Sequence, residues 1–105
     1  MGHDRSIYDE IWVETEDGQA MCALIHGPLG FLMYLRAPGD AGMTSRNPNY
    51  SGAPDAVQDY YLNNGQRDEY PLAWAIPLED VKRALKEFAD HKQRPAWVQW
   101  HDDAL

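Results

Sequence analysis

With 105 residues, one cysteine and a formal charge of −8, the chain is too short for two cores and has no internal disulfide framework. Seventeen acidic against nine basic side chains argue against a general nucleic-acid binder; any protein partner should be basic. The longest apolar runs, Ala20 to Ile25 and Phe31 to Leu35, are strand-sized, so no membrane span is expected. The expectation is a single domain over residues 1–105, without a signal peptide, in a reducing cytoplasm.

Met1 to Ser6 is polar and expected to fray. From Ile7 to Glu14 the pattern alternates. Ile7, Ile11 and Val13 face one way and Tyr8, Glu10, Trp12 and Glu14 the other, as in a half-buried strand. Asp17-Gly18 is a turn signal that folds this strand onto Ala20–Ile25, which is apolar on both faces and therefore interior. Gly27-Pro28-Leu29-Gly30 reads as a second turn, and Phe31 to Leu35 as the central strand of a meander. From Ala37 to Ala56, prolines, glycines and Ser/Asn/Asp argue against any strand or helix. Such a long loop is usually functional, and Tyr50 is the one large aromatic able to pin it. Val57 to Leu62, Asn64-Gly65 and Asp68 to Ile76 form a hairpin pattern, with Pro71 demanding an edge or a bulge.

The helix is the clearest element. Leu78, Val81, Leu85 and Phe88 recur at spacings of three and four, which gathers them on one face. Ala84 and Ala89 flank that stripe. Pro77 suits the first turn, and Glu79 and Asp80 put negative charge at the positive end of the dipole. Glu79–Arg83 and Lys86–Asp90 have the spacing of i,i+4 pairs. Lys92, Gln93 and Arg94 end the pattern and Pro95 forbids its continuation. The spacing predicts a helix over Leu78–Ala89. After it, Ala96, Val98 and Trp100 alternate with Trp97, Gln99 and His101, the first set inward. The implied fold is α+β: an antiparallel sheet of five or six strands with this one helix packed on one face.

Little in the chain carries chemistry. His3, His26, His91 and His101 lack metal-ligand spacing, and His101-Asp102-Asp103 reads more simply as a solvated tail than as a hard-metal site. Cys22 lies in an apolar strand and reads as an inert core thiol. No serine sits in a nucleophile elbow, and the Gly-Pro-Leu-Gly turn lacks the helix and lysine of a phosphate cradle. Asp68-Glu69 reads as ordinary surface. No catalytic set, metal or cofactor is expected. Trp74 and Trp100 read as core, whereas Trp97 either covers the sheet or stands as an exposed anchor.

Several segments occur in an order that resembles a known family. They are Tyr60-Tyr61-Leu62, Gly65, Glu69-Tyr70-Pro71, Ile76-Pro77-Leu78-Glu79-Asp80-Val81, Glu87-Phe88, Arg94-Pro95 and Val98-Gln99-Trp100. The pattern is similar to that of the first immunity-protein family of bacterial polymorphic toxin systems. Gly30 to Tyr34 and Gly39-Asp40 to Tyr50 resemble that family's central strand and Gly/Asn/Pro-rich loop. The resemblance implies a cytoplasmic, non-enzymatic protein that neutralises a cognate toxin domain, often a nucleic-acid deaminase or another effector encoded beside it. A non-catalytic ligand-binding or scaffold domain, and a small metal-dependent hydrolase built on His26 or His101, remain the alternatives. For partner binding the residues point to acids beside an aromatic anchor. The loop offers Asp40, Tyr50 and Asp55, and the hairpin Asp59, Asp68 and Glu69. The final strand offers Trp97, with Asp102 and Asp103 beyond it. These form one surface only if the final strand lies beside the hairpin.

Overall fold

The alternation and turn signals of the first third produce an antiparallel meander of β1 (Tyr8–Glu14), β2 (Ala20–His26) and β3 (Leu29–Leu35). The structure, a computed structural model, describes residues 7–104; the start expected to fray, residues 1–6, lies outside the described residues. β2 is buried from Met21 to Ile25, on both faces, as an interior strand must be. β3 begins earlier than the sequence suggests, so Gly30 belongs to the strand and not to the turn. A Cβ on Gly30 would sit 2.7 Å from the Leu24 carbonyl oxygen and 3.3 Å from a Val81 methyl, so glycine here lets the helix approach the sheet.

The stretch 37–56, expected to hold no strand, contains β4 (Met43–Arg46). Its four residues are free of Gly and Pro, and pairing with both β3 and the C-terminal strand overrides the composition around them. β5 (Val57–Tyr61) and β6 (Arg67–Pro71) form the expected hairpin, as a separate two-stranded sheet. β6 stops at Pro71, which takes a position whose N–H the ladder does not use, since the Leu72 N–H still donates to the Ala56 carbonyl at 2.9 Å; a 3-10 turn at Leu72–Trp74 follows in place of further strand. β7 (Ile76–Pro77) then pairs with the start of β3.

α1 (Leu78–His91) follows β7 without a loop. No side chain caps its start; the Leu78 N–H instead donates to the Pro28 carbonyl at 2.8 Å. Of the predicted stripe, Val81, Leu85 and Phe88 are buried and Leu78 is half-buried against them; of the flanking alanines, Ala84 is buried but Ala89 is exposed, being rotated about 100° from Phe88 off the stripe. Lys86 and Asp90 pair at 2.9 Å, while the Arg83 guanidinium turns to the Trp97 ring. Lys92 closes the helix in the left-handed conformation, its N–H donating to the Phe88 carbonyl at 2.7 Å. β8 (Gln99–Asp102) completes the large sheet, in the order β1-β2-β3-β4-β8 with β7 beside β3. Val98 is buried and Trp100 half-buried, but Ala96 is exposed because strand alternation starts only at Gln99.

The sheet therefore has two covered faces. On one, Met21, Ala23, Ile25, Leu32 and Tyr34 pack against α1. On the other, Cys22, Leu24 and Phe31 pack against Tyr60 of the hairpin, with Tyr70 and Trp74 beside them. Ser45, fully buried, ties the layers together: its hydroxyl accepts the Leu32 N–H at 3.0 Å and donates to the Trp74 carbonyl at 3.0 Å. Tyr60 is fully buried, and its hydroxyl has no hydrogen-bond partner among the described residues.

Two stability measurements follow. Phe88→Ala should cost about 3–5 kcal/mol in urea unfolding and Leu85→Ala about 2–5 kcal/mol, since each leaves a cavity under the helix; wild-type midpoints would remove α1 from the core. Tyr60→Phe should leave stability equal or higher, because it deletes an unpaired buried hydroxyl that costs about 1–3 kcal/mol. A clear loss would mean that the hydroxyl is satisfied in solution.

Candidate partner-binding surface

Where the hairpin crosses the sheet, side chains rather than strand pairing hold it. His26 Nδ1 lies 2.9 Å from the Asp59 carbonyl oxygen and 3.4 Å from its carboxylate. Both neighbours are acceptors, so Nδ1 carries the proton. The Tyr8 ring stacks at 4.4 Å on His26 and meets Tyr61 edge-on at 4.8 Å. At the hairpin tip, Asn63 donates its backbone N–H to Glu10 Oε1 at 2.9 Å and its amide to the Glu10 carbonyl at 3.2 Å. The other Glu10 oxygen accepts the indole N–H of Trp12 at 2.8 Å. Trp12 is 45% exposed, yet its ring is anchored through Glu10 to the hairpin.

A second polar cluster sits at the opposite edge of the sheet. The Arg36 guanidinium binds Asp40 at 2.8 Å and Asp102 at 2.9 Å, latching the loop after β3 to β8. Asp103 accepts the Thr44 hydroxyl at 3.0 Å, with His101 3.7 Å away. Trp97 is half-buried against the helix-side core. Its N–H donates to Glu87 at 2.5 Å, and Arg83 lies 4.0 Å above its ring.

The final strand pairs with β4 and not with the hairpin, so the candidate residues divide into groups. Asp59, Asp68 and Glu69 lie on the hairpin, Asp68 turned towards the sheet and Glu69 exposed. Asp40, Asp102 and Asp103 lie at the β8 edge, the first two bound to Arg36. Tyr50 holds the loop as expected, its hydroxyl donating to the Ala53 carbonyl at 2.6 Å, and Asp55 is exposed nearby. Between the loop after β4, the start of α1 and the approach to β8 lies an open cleft of about 520 Å³ lined by Arg46, Asn49, Asp80, Trp97 and Gln99 among others. Sequence reading passed over Trp12, although the alternation of β1 had already set it opposite Ile11 and Val13.

The chain matches the family model described as Immunity protein Imm1 over residues 5–102, nearly its whole length. It belongs to the Imm1 immunity-protein family. No curated protein matches it. In this Imm1 member, no group of three or more His, Cys, Asp or Glu side chains among the described residues is placed to hold a metal ion. His26 and His101 each meet a single carboxylate, on β2 and β8, which are not neighbours in the sheet. Burial, then the nearby Glu10 charge, pushes the Cys22 thiol up to about 12, so it stays protonated at neutral pH. No helix among the described residues is long and apolar enough to cross a membrane.

The Arg36 latch makes a testable acid titration. Hydrogen bonds from Arg36 hold both carboxyls below the ordinary value of 3.8, Asp40 far below it. A depressed folded-state pKa gives stabilisation that is complete above the unfolded-state value and lost as pH falls through the folded one. The latch should thus be intact at neutral pH and release only below pH 3.8. Carboxyl NMR titration should show both midpoints rising towards the ordinary value in Arg36→Met. Unchanged midpoints would mean the guanidinium is not their partner.

Proposed function

We propose that this Imm1 protein acts in the cytoplasm by binding a cognate toxin domain directly and blocking its activity, without catalysis of its own. The family match over residues 5–102 carries this reading. The partner is a basic domain, of the kind that acts on nucleic acid, such as a deaminase or a nuclease. Support comes from the net charge of −8 and from the way the arginines are used. Arg36 is bound by carboxylates, Arg46 lies 4.3 Å over Trp74, and Arg83 covers Trp97, so these cations are spent on internal joints. The exposed acids, Asp55, Glu69 and Asp103 among them, face solvent and steer a cationic partner. Asp40, Asp59, Asp68 and Asp102 shape the same field while holding the loop and hairpin in place. Tyr50 keeps the loop compact and Trp97 braces β8 against α1.

The test is co-expression with an inactivated toxin domain from the adjacent gene. A stable complex should co-purify, and the immunity protein should abolish toxicity of the active form. Reversing Asp68 and Glu69 to Lys should slow association about 10-fold at low salt and weaken its salt dependence. Failure of the wild-type protein both to bind and to protect would refute the reading. Unchanged association in the double variant would move the steering charge off the hairpin.

A further inference from the structure

The hairpin covers only part of the second sheet face. Strand register places Trp12, Cys22 and Met33 side by side on that face, with Glu14, Ala20 and Leu35 in the next row. Cys22 is buried and Met33 packs at the margin of the hairpin core. Trp12, Ala20 and Leu35 belong to neither core, and Ala20 and Leu35 are only half-buried. This leaves an apolar strip whose largest member is the exposed Trp12.

Carboxylates rim the strip. Glu10 and Glu14 share the outward side of β1 with Trp12, and Asp103 closes the far end of the Glu14–Leu35 row, its N–H bonded to the Gly42 carbonyl at 2.9 Å. Arginines on the adjoining strand β4 and just after β3 are committed elsewhere. Arg46 donates to the Thr44 hydroxyl and the Ser45 carbonyl, both at 2.9 Å, and Arg36 holds Asp40 and Asp102. Trp12 is also set in advance: Glu10 takes its N–H while accepting Asn63 from the hairpin tip. An aromatic side chain ordered before binding loses little entropy on contact, the property expected of an interface anchor.

Resting on the proposed immunity role, we propose that this strip is the surface that seats the toxin, through a basic segment of the toxin domain. A Lys or Arg of that segment lays its aliphatic stem on Trp12 and Leu35 and its charge against the ring face, Glu10 and Glu14. Charge decides the occupant. A second copy of this chain would bring Glu10 and Glu14 against their own kind, whereas a cationic segment pairs with them.

Hydrogen exchange of the full chain, alone and with the inactivated toxin domain from the adjacent gene, tests this. Protection is expected in peptides covering 10–14 and 33–35. Trp12→Ala should dissociate about 30-fold faster or more, while Lys82→Glu on the outer face of α1 should stay within about twofold of wild type. Trp12→Phe should recover part of the loss, and equal melting of the variants separates binding from folding. Protection confined to the cleft at 46–49 and 96–99 or to the outer face of α1, or an unchanged dissociation rate for Trp12→Ala, would overturn the assignment while leaving the immunity role standing. Self-association through this strip would overturn it too. A wild-type chain that does not bind the toxin domain at all would remove both readings.

Discussion

Burial of β2 on both faces is the constraint from which the rest of the architecture follows. Met21, Ala23 and Ile25 point one way and Cys22 and Leu24 the other, all five nearly inaccessible. A strand apolar on both sides needs two covering layers. One helix can supply only one of them. The second comes from the Tyr-rich hairpin, which turns Tyr60 and Tyr70 onto the sheet. Tyr60, Tyr70 and Trp74 surround Phe31 at ring separations of 4.7–5.6 Å, so this second layer is an aromatic cluster rather than an aliphatic one.

That arrangement also explains the uneven surface. The hairpin is too short to span the sheet, so its tip ends over Glu10 and the lower rows of β1 to β3 remain open. The helix side has no such gap, because α1 runs for fourteen residues and Trp97 and Trp100 extend its cover. Acidic side chains accumulate on the open side, whereas the outer face of α1 mixes both signs. Polarity, aromatic exposure and incomplete cover thus coincide at one place for a single geometric reason.

The meander, the hairpin and the helix were all legible because each rests on local patterns: alternation, Asp-Gly and Asn-Gly turns, and a stripe at three- and four-residue spacing. β4 was not. Met43–Arg46 has no apolar alternation, and its existence depends on partners nine and more residues away on both sides. The same limit governed the candidate surface. Individual acids were visible, but whether β8 lies beside the hairpin is a question of sheet order, and sheet order is set by long-range packing. Trp97 could not be placed without knowing that Glu87 and Arg83 would meet it. Trp12 carried a usable signal, an indole on the outward face of a first strand, where a polar residue would have sufficed for solubility.

The hairpin shares no strand ladder with the large sheet. It docks through rings, through His26 against Asp59, and through Asn63 on Glu10, while its own ladder closes internally from Val57–Pro71 to Tyr61–Arg67. It behaves, in structural terms, as a panel laid over a finished frame. Its inward residues, Tyr60 and Tyr70, are constrained by Phe31 beneath them. Outward positions such as Val57, Arg67 and Glu69 are exposed, the last two facing each other at 3.9 Å across the strand surface. Substitutions on the outside of the panel can therefore accumulate without disturbing the frame beneath it. The inward face of the hairpin is fixed by the core and the outward face is not, which lets one diverge while the other stands still.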